Sequence, residues 1–257
     1  MARYQLTLAY DGTDFFGSQR QAESRTVQGE LEKALSKLGW RGRSVIMSGR
    51  TDTGVHATGQ VASVDFKWSH AEADLVRALN AELPSDMAVW KARIVHAKFH
   101  PRFDANSRCY QYKLFCQPLR DPIRERFAWR VWPAVKGDDL ASTANLFLGI
   151  HDFSAFGSPT TTKGTTVRTV LKTEWTQTEK DEWCFEVQAN AFLYRMVRRL
   201  VFVQVAAAQR KVSAEVIASA LASQAKADSK SEMVPVGLAP AFGLTLVQVT
   251  YQESIGQ

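Results

Sequence analysis

The sequence predicts an α+β fold: two lobes, a mostly antiparallel central sheet flanked by helices, and a cleft between the lobes. Three observations carry this. Strand-like segments come in runs mixed with helices rather than in strict strand–helix alternation, which disfavours a doubly wound parallel sheet. A polar turn, TEKDE, joins two long alternating segments as a hairpin, an antiparallel unit. The two halves of the 257 residues also repeat a similar grammar, so one lobe is expected over residues 1–104 and a second over 105–257.

The elements follow in order. RYQLTLAYDG alternates, with Tyr4, Leu6, Leu8 and Tyr10 on one face of a half-buried strand. After the loop DGTDFFGSQRQ, Thr26 caps a helix whose apolar positions Val27, Leu31, Ala34, Leu35 and Leu38 recur at helical spacing, with Gly39 as the stop. RSVIM and QVASVDF are short strands on either side of SGRTDTGVHA. Ser69 and Glu72 form a capping-box pair for a second helix through Leu75, Leu79 and Leu83, and MAVWKARIV is a strand. In the second half ANSRCYQYKLFC is a long strand with Tyr110, Tyr112, Leu114 and Cys116 on one face. Asp138 or Asp139 opens a helix ending at Gly149. The hairpin TTVRTVLKTEWTQ–EWCFEVQAN comes next. A helix from Asn190 to Arg210, a shorter one from Ser213, a loop over Gln224–Pro240 and the strand GLTLVQVTY complete the chain.

Composition narrows the function. With 45% hydrophobic and 23% charged residues the chain reads as a globular protein. Its longest apolar stretch, Leu200 to Ala208, is interrupted by Gln204 and is too short to span a bilayer. No leader-like segment precedes the first strand, and the three cysteines, Cys109, Cys116 and Cys184, include no C-x-x-C pair. Reduced thiols and a cytoplasmic home are expected, with no membrane association and no cysteine zinc site. The net charge is +6, concentrated at Arg41 and Arg43, at Arg120, Arg124 and Arg126, and at Arg195, Arg198 and Arg199. Phe127, Trp129, Trp132, Phe192 and Tyr194 interleave the last two clusters. Arginines among aromatics suit a phosphate backbone and unstacked bases better than a merely solvated basic surface.

The motifs sharpen this. Asp52 sits in a D-T-G turn, and such a turn needs no function. Against a plain turn stands Arg50 two residues earlier, which a bent loop can place on either side of the chain. A cationic neighbour keeps a carboxylate ionised in a cleft, where it could serve as nucleophile or base. An aspartic protease would need a second such carboxylate, and D-T-G occurs once. His96 and His100 have the i, i+4 spacing of a zinc pair but lie at a strand end before Pro101, so a metal site is not expected. Tyr110 is either a core aromatic or a ring that stacks on a flipped base, with Arg108 on a phosphate. In NAFLYRMVRRLV, Arg195, Arg198 and Arg199 share one helix face. Most of that face is expected to be solvated, with one arginine turned toward Asp52.

Taken together, SGRTDTGVHATGQVASV, FHPRFDANSRCYQY, ANAFLYRMVRRLV and GLTLVQVTY resemble the tRNA pseudouridine synthase A (TruA) family. DGTDFFGSQRQ and RTVQGELEKAL extend the resemblance, which runs from about Tyr4 to Tyr251. It implies the two-lobed pseudouridine synthase fold, a homodimer, no cofactor and no metal. It also implies isomerisation of uridine to pseudouridine at positions 38, 39 and 40 of the tRNA anticodon stem-loop. By resemblance Asp52 is the catalytic aspartate, Tyr110 the active-site tyrosine and Arg198 the basic residue that pairs with the aspartate. Arg50 admits the target base, and Tyr110, Arg50, Arg108 and His56 make up the substrate-binding set. Two rival readings are a catalytically silent tRNA-binding protein and a synthase acting on other RNA positions. The chain departs from the family where Gly17-Ser18-Gln19 replaces the common G-W-Q, and where Phe202 and Ala208 replace common glycines. Bulk at Phe202 is expected to change how its helix packs.

Overall fold

The computed structural model describes residues 1–161, 164–222 and 234–252. They fall into two compact units: Met1–Asn106 with the closing strand from Thr245, and Ser107–Leu244. The closing strand, expected in the second lobe, thus belongs to the first unit.

The chain enters on β1 (Ala2–Tyr10), then α1 (Val27–Lys37), β2 (Ile46–Met47), β3 (His56–Phe66), α2 (Glu72–Glu82) and β4 (Met87–Val95). β1 lies between β3 and β4 and is antiparallel to both. Alternation predicts one buried face for β1, yet Gln5 and Ala9 on the other face are buried too. Gln5 is covered because Arg93 of β4 lays its guanidinium over it, donating from Nε at 3.0 Å and Nη2 at 2.8 Å to Oε1. α1 starts as expected: Thr26 Oγ1 accepts the Gly29 N–H at 3.2 Å. The second helix does not use Ser69 and Glu72 as its box. It begins at Glu72, so the N-cap is Ala71 and the Asp74 carboxylate accepts the Ala71 N–H at 3.2 Å. Glu72 instead accepts the Ile94 N–H of β4.

The second unit runs β5 (Ala105–Cys116), β6 (Trp129–Val131), α3 (Gly137–Asn145), β7 (Gly149–Asp152), β8 (Val167–Glu179), β9 (Glu182–Ala189), α4 (Met196–Ala208) and α5 (Ala214–Ala222). The order β5-β9-β8-β7 is antiparallel throughout, with β6 parallel to β5. β10 (Leu244–Tyr251) then pairs parallel with β3. A Cβ on Gly59 of β3 would lie 2.1 Å from the Val247 carbonyl oxygen, so glycine lets the two backbones meet there. The fold class is therefore α+β, mixed but mostly antiparallel.

Three expectations shift. α3 stops at Asn145, because Gly149–Asp152 pairs with β8 as a strand that the sequence pattern hid. α4 begins at Met196, not Asn190. Asn190 Oδ1 caps the Thr169 and Ala191 amides, Tyr194 N–H donates to Ser158 O, and Arg195 takes a left-handed φ of 62°. Arg195 therefore lies outside the helix, where an arginine face was expected. The polar break in the apolar run, Gln204, is fully buried and satisfied: Trp175 Nε1 donates to its Oε1 at 2.7 Å, and its amide donates to Leu200 O. The expected loop over Gln224–Pro240 lies outside the described residues as far as 233. From 234 to 240 it forms neither helix nor strand.

All three cysteines are free, and burial pushes the Cys109 and Cys184 thiols up to about 11. Such thiols are poor nucleophiles near neutrality. No helix among the described residues is long and apolar enough to cross a membrane.

Candidate active site

In the first unit the segment from Ser48 to His56 leaves β2, turns and becomes the start of β3. Gly54 takes φ 77° and the Val55 N–H donates to the Asp52 carbonyl at 3.1 Å, closing the turn that the D-T-G triplet predicts. Its surroundings go beyond what a plain turn needs. Ser48 Oγ donates to Gln60 Oε1 at 2.7 Å, and Gln60 Nε2 donates to Gly49 O at 3.1 Å. The Thr51 N–H donates to Ser18 Oγ at 2.8 Å, while the Ser18 N–H donates to Thr51 O at 3.1 Å. Thr51 Oγ1 meets the Tyr10 hydroxyl at 2.9 Å. Asp52, half-buried, is thus presented on a loop held on both flanks.

The DGTDFFGS loop supplies much of that hold. A Cβ on Gly12 would lie 2.1 Å from Val55 O, and one on Gly17 (φ 84°) would lie 2.8 Å from Thr51 O. His56 is buried, and its Nδ1 accepts the Gly12 N–H at 2.9 Å, with the Asp11 carboxylate at 3.1 Å. His56 therefore grips the neighbouring loop. Arg50 is exposed at the mouth of the turn.

Tyr10 reports on this packing. Burial pushes its phenol up to about 12, against the hydrogen bonds from Thr51 and Gln60, which lower it. An unfolded tyrosine ionises near about 10. Between those values the folded state keeps a proton that the unfolded chain has lost, so stability falls as pH rises through this window. Urea unfolding followed from pH 9 to 12 should show a shallower fall in Tyr10→Phe than in wild type. The variant should also lose about 1 kcal/mol at neutral pH with the Thr51 contact.

In the second unit, Arg108 and Tyr110 lie on β5. Arg108 Nη1 donates to Asn190 O at 2.9 Å, and the Tyr110 ring meets Phe192 edge-on at 5.1 Å and 89°. Both contacts tie β5 to the segment preceding α4. Arg198 is in the first turn of α4, half-buried, and its Nε donates to Ala239 O at 2.8 Å. Tyr112 is buried, and its hydroxyl donates to Pro240 O at 2.9 Å. Burial holds its phenol well above the usual tyrosine value, with the charge of Arg198 pulling the other way. Two groups therefore form: Arg50, Asp52 and His56 along one turn and strand start, and Arg108, Tyr110 and Arg198 around β5 and the start of α4. No set of three or more His, Cys, Asp or Glu side chains that could hold a metal ion occurs among the described residues.

The family model for tRNA pseudouridine synthase matches residues 7–104 and 143–252. A tRNA pseudouridine synthase A of Methylacidiphilum infernorum is 40% identical over 98% of this chain and 97% of its own. The chain belongs to this family. Relatives of the same name in Solidesulfovibrio magneticus and Chloroflexus aurantiacus are 42% and 37% identical over 98% and 99% of the chain, and 92% and 91% of theirs. Among solved structures a Cbf5-Nop10-Gar1 complex aligns at TM-score 0.39 and 12% identity, over 95% of this chain and 48% of that one.

Asp52, Arg50, His56 and Arg198 fall inside the family match, whereas Arg108 and Tyr110 lie between its two parts. The sequence reading missed Ser18, Gln60 and Tyr10 as supports of the Asp52 loop, and Ala239 as the acceptor for Arg198. The paired glycines of DGTDFFGS were the available signal for the first group, because each marks a backbone approach. Nothing local signals Ala239, which is 41 residues from Arg198.

Proposed function

We propose that this tRNA pseudouridine synthase converts uridine to pseudouridine at positions 38, 39 and 40 of the anticodon stem-loop, with Asp52 as nucleophile or base. The observation that carries the proposal is the R-T-D turn: one carboxylate on a loop braced by Tyr10, Ser18 and Gln60, within a family match running through most of the chain. The reaction breaks the N1–C1′ bond, turns the uracil and joins C5 to C1′; the C5 proton is released and N1 gains one. A stem uridine must first leave the helix, at roughly a few kcal/mol of lost stacking and pairing.

In this reading Asp52 attacks C1′ or C6, or removes a sugar proton, and each route needs it ionised. Arg198 supplies the counter-charge that offsets its desolvation. The Tyr110 ring, oriented by Phe192, gives the detached uracil a flat surface on which to turn, and the hydroxyl assists removal of the C5 proton. Arg50, exposed beside the turn, admits the base. Arg108, anchored on Asn190 O, holds a phosphate. His56 belongs to the binding set through the loop it grips rather than through RNA. The working unit is a homodimer in the cytoplasm.

Pseudouridine mapping tests the positions. tRNA transcripts bearing uridine at 38, 39 or 40, or only elsewhere, are incubated with the protein and scanned by carbodiimide adduct formation and primer extension. Stops confined to 38–40 are expected. Stops only at other positions would assign the chain to a different site, and an absence of stops on every transcript would leave tRNA binding without isomerisation.

A further inference from the structure

The residue after Arg198 is also an arginine, and the mechanism above gives it nothing to do. Arg199 lies one position further along α4, half-buried, and its guanidinium is directed at backbone carbonyls. Its Nη1 donates to Gly237 O at 3.0 Å and to Pro235 O, and its Nη2 donates to Val234 O at 3.3 Å. One guanidinium therefore gathers three carbonyls of the irregular segment that runs from 234 to 240. The end of that segment is bound to Arg198: Nε donates to Ala239 O at 2.8 Å, and the Ala239 N–H returns to Arg198 O at 3.1 Å. Phe202, one turn further along α4, closes the other side. A Cβ on Gly237 would lie 2.3 Å from its ring, so the segment lies directly against the aromatic face.

We propose that Arg199 is a positioning residue for Arg198, acting through the strap formed by residues 234–239. The inference rests on the reading that Arg198 supplies the counter-charge to Asp52. A planar fork suits this task, because it holds several carbonyl oxygens in one fixed arrangement, which an ammonium on a flexible stem does not. Without the fork the strap loses the side-chain donor that holds the Val234, Pro235 and Gly237 carbonyls, and the Ala239 carbonyl that aims the Arg198 guanidinium loses that support. Misplacement by about 1 Å of a group that must meet a reacting centre costs about 100-fold in rate.

The test compares Arg199→Gln, Arg199→Lys and Arg198→Lys in the full-length chain. Four quantities are measured: thermal unfolding, tRNA affinity, kcat and KM for pseudouridine formation, and amide hydrogen exchange across residues 234–240. Arg199→Gln should fold, bind tRNA within about threefold of wild type, exchange faster at Ala239 and lose kcat by about 10- to 100-fold with KM little changed. Arg199→Lys should recover only part of that kcat. Wild-type kcat in Arg199→Gln with a loosened strap, while Arg198→Lys is impaired, would overturn the positioning role. Wild-type kcat in Arg198→Lys would instead overturn the reading of Arg198 on which it rests. A fall in affinity with kcat intact would make Arg199 an RNA contact and also overturn the proposal. If Arg199→Gln does not fold, Arg199→Lys decides: full kcat there means that any cation suffices and the fork does not position Arg198.

Discussion

Asp52→Asn is expected to lower kcat by about 10³-fold or more while leaving the fold and tRNA binding in place. Asparagine has nearly the same shape, so the Asp52 carbonyl still closes the turn with Val55 N–H, and the supports at Thr51, Ser18 and Gln60 are untouched. What is lost is the ionised oxygen, and a positioned base or nucleophile contributes roughly 10²- to 10⁴-fold. The proposed phosphate contacts come from arginines, which the substitution leaves in place, and such contacts dominate the affinity of proteins for nucleic acid. Nucleoside chromatography of digested tRNA, read at saturating substrate, measures the fall. A variant within tenfold of wild type would mean that Asp52 shapes the turn and another group does the chemistry.

The second large effect is expected at Gly12. An alanine there places Cβ 2.1 Å from the Val55 carbonyl oxygen and 2.5 Å from its carbon. Neither atom can yield without moving the backbone that follows Asp52. The cost is one of space rather than conformation, because Gly12 is not among the glycines with positive φ. The same displacement parts the Gly12 N–H from His56 Nδ1. Gly12→Ala should therefore lose about 3 kcal/mol of stability by urea unfolding. It should also lose about 100-fold in kcat at temperatures where it remains folded. Unchanged stability would show that the two loops do not need their close approach. Unchanged kcat in a destabilised variant would show that the approach serves the fold alone.

These two positions also show what the sequence made legible. The Asp52 turn was readable because turn chemistry is local: Asp, Gly and the following apolar residues fix it within four positions. Thr26 as a cap and MAVWKARIV as a strand were readable for the same reason, since period and capping are short-range signals. The failures share the opposite property. The apolar spacing of NAFLY predicts helix back to Asn190, yet Asn190 is held by Thr169 of β8, Tyr194 by Ser158, and Arg195 takes a left-handed φ. The strand at Gly149–Asp152 exists only because β8 pairs with it. The supports of the site were hidden likewise: Ser18 reaches Thr51 across 33 residues, and Arg198 reaches Ala239 across 41. The bulk of Phe202 where glycine is common was visible. Its accommodation by Gly237 was not, because a compensating glycine carries no mark of what it faces.

The central claim is that this chain moves the glycosidic bond of a tRNA uridine from N1 to C5, and that the Asp52 carboxylate drives the exchange. Release of tritium from tRNA carrying 5-tritiated uridine, matched against pseudouridine formed in the same sample, tests it most directly, since joining C5 to C1′ displaces the label. Wild type should release label in proportion to the uridines at positions 38–40, and Asp52→Asn, folded and bound to the same tRNA, should release none above background. Release by the variant at the wild-type rate, or none by wild type on any uridine-bearing tRNA, would contradict the account.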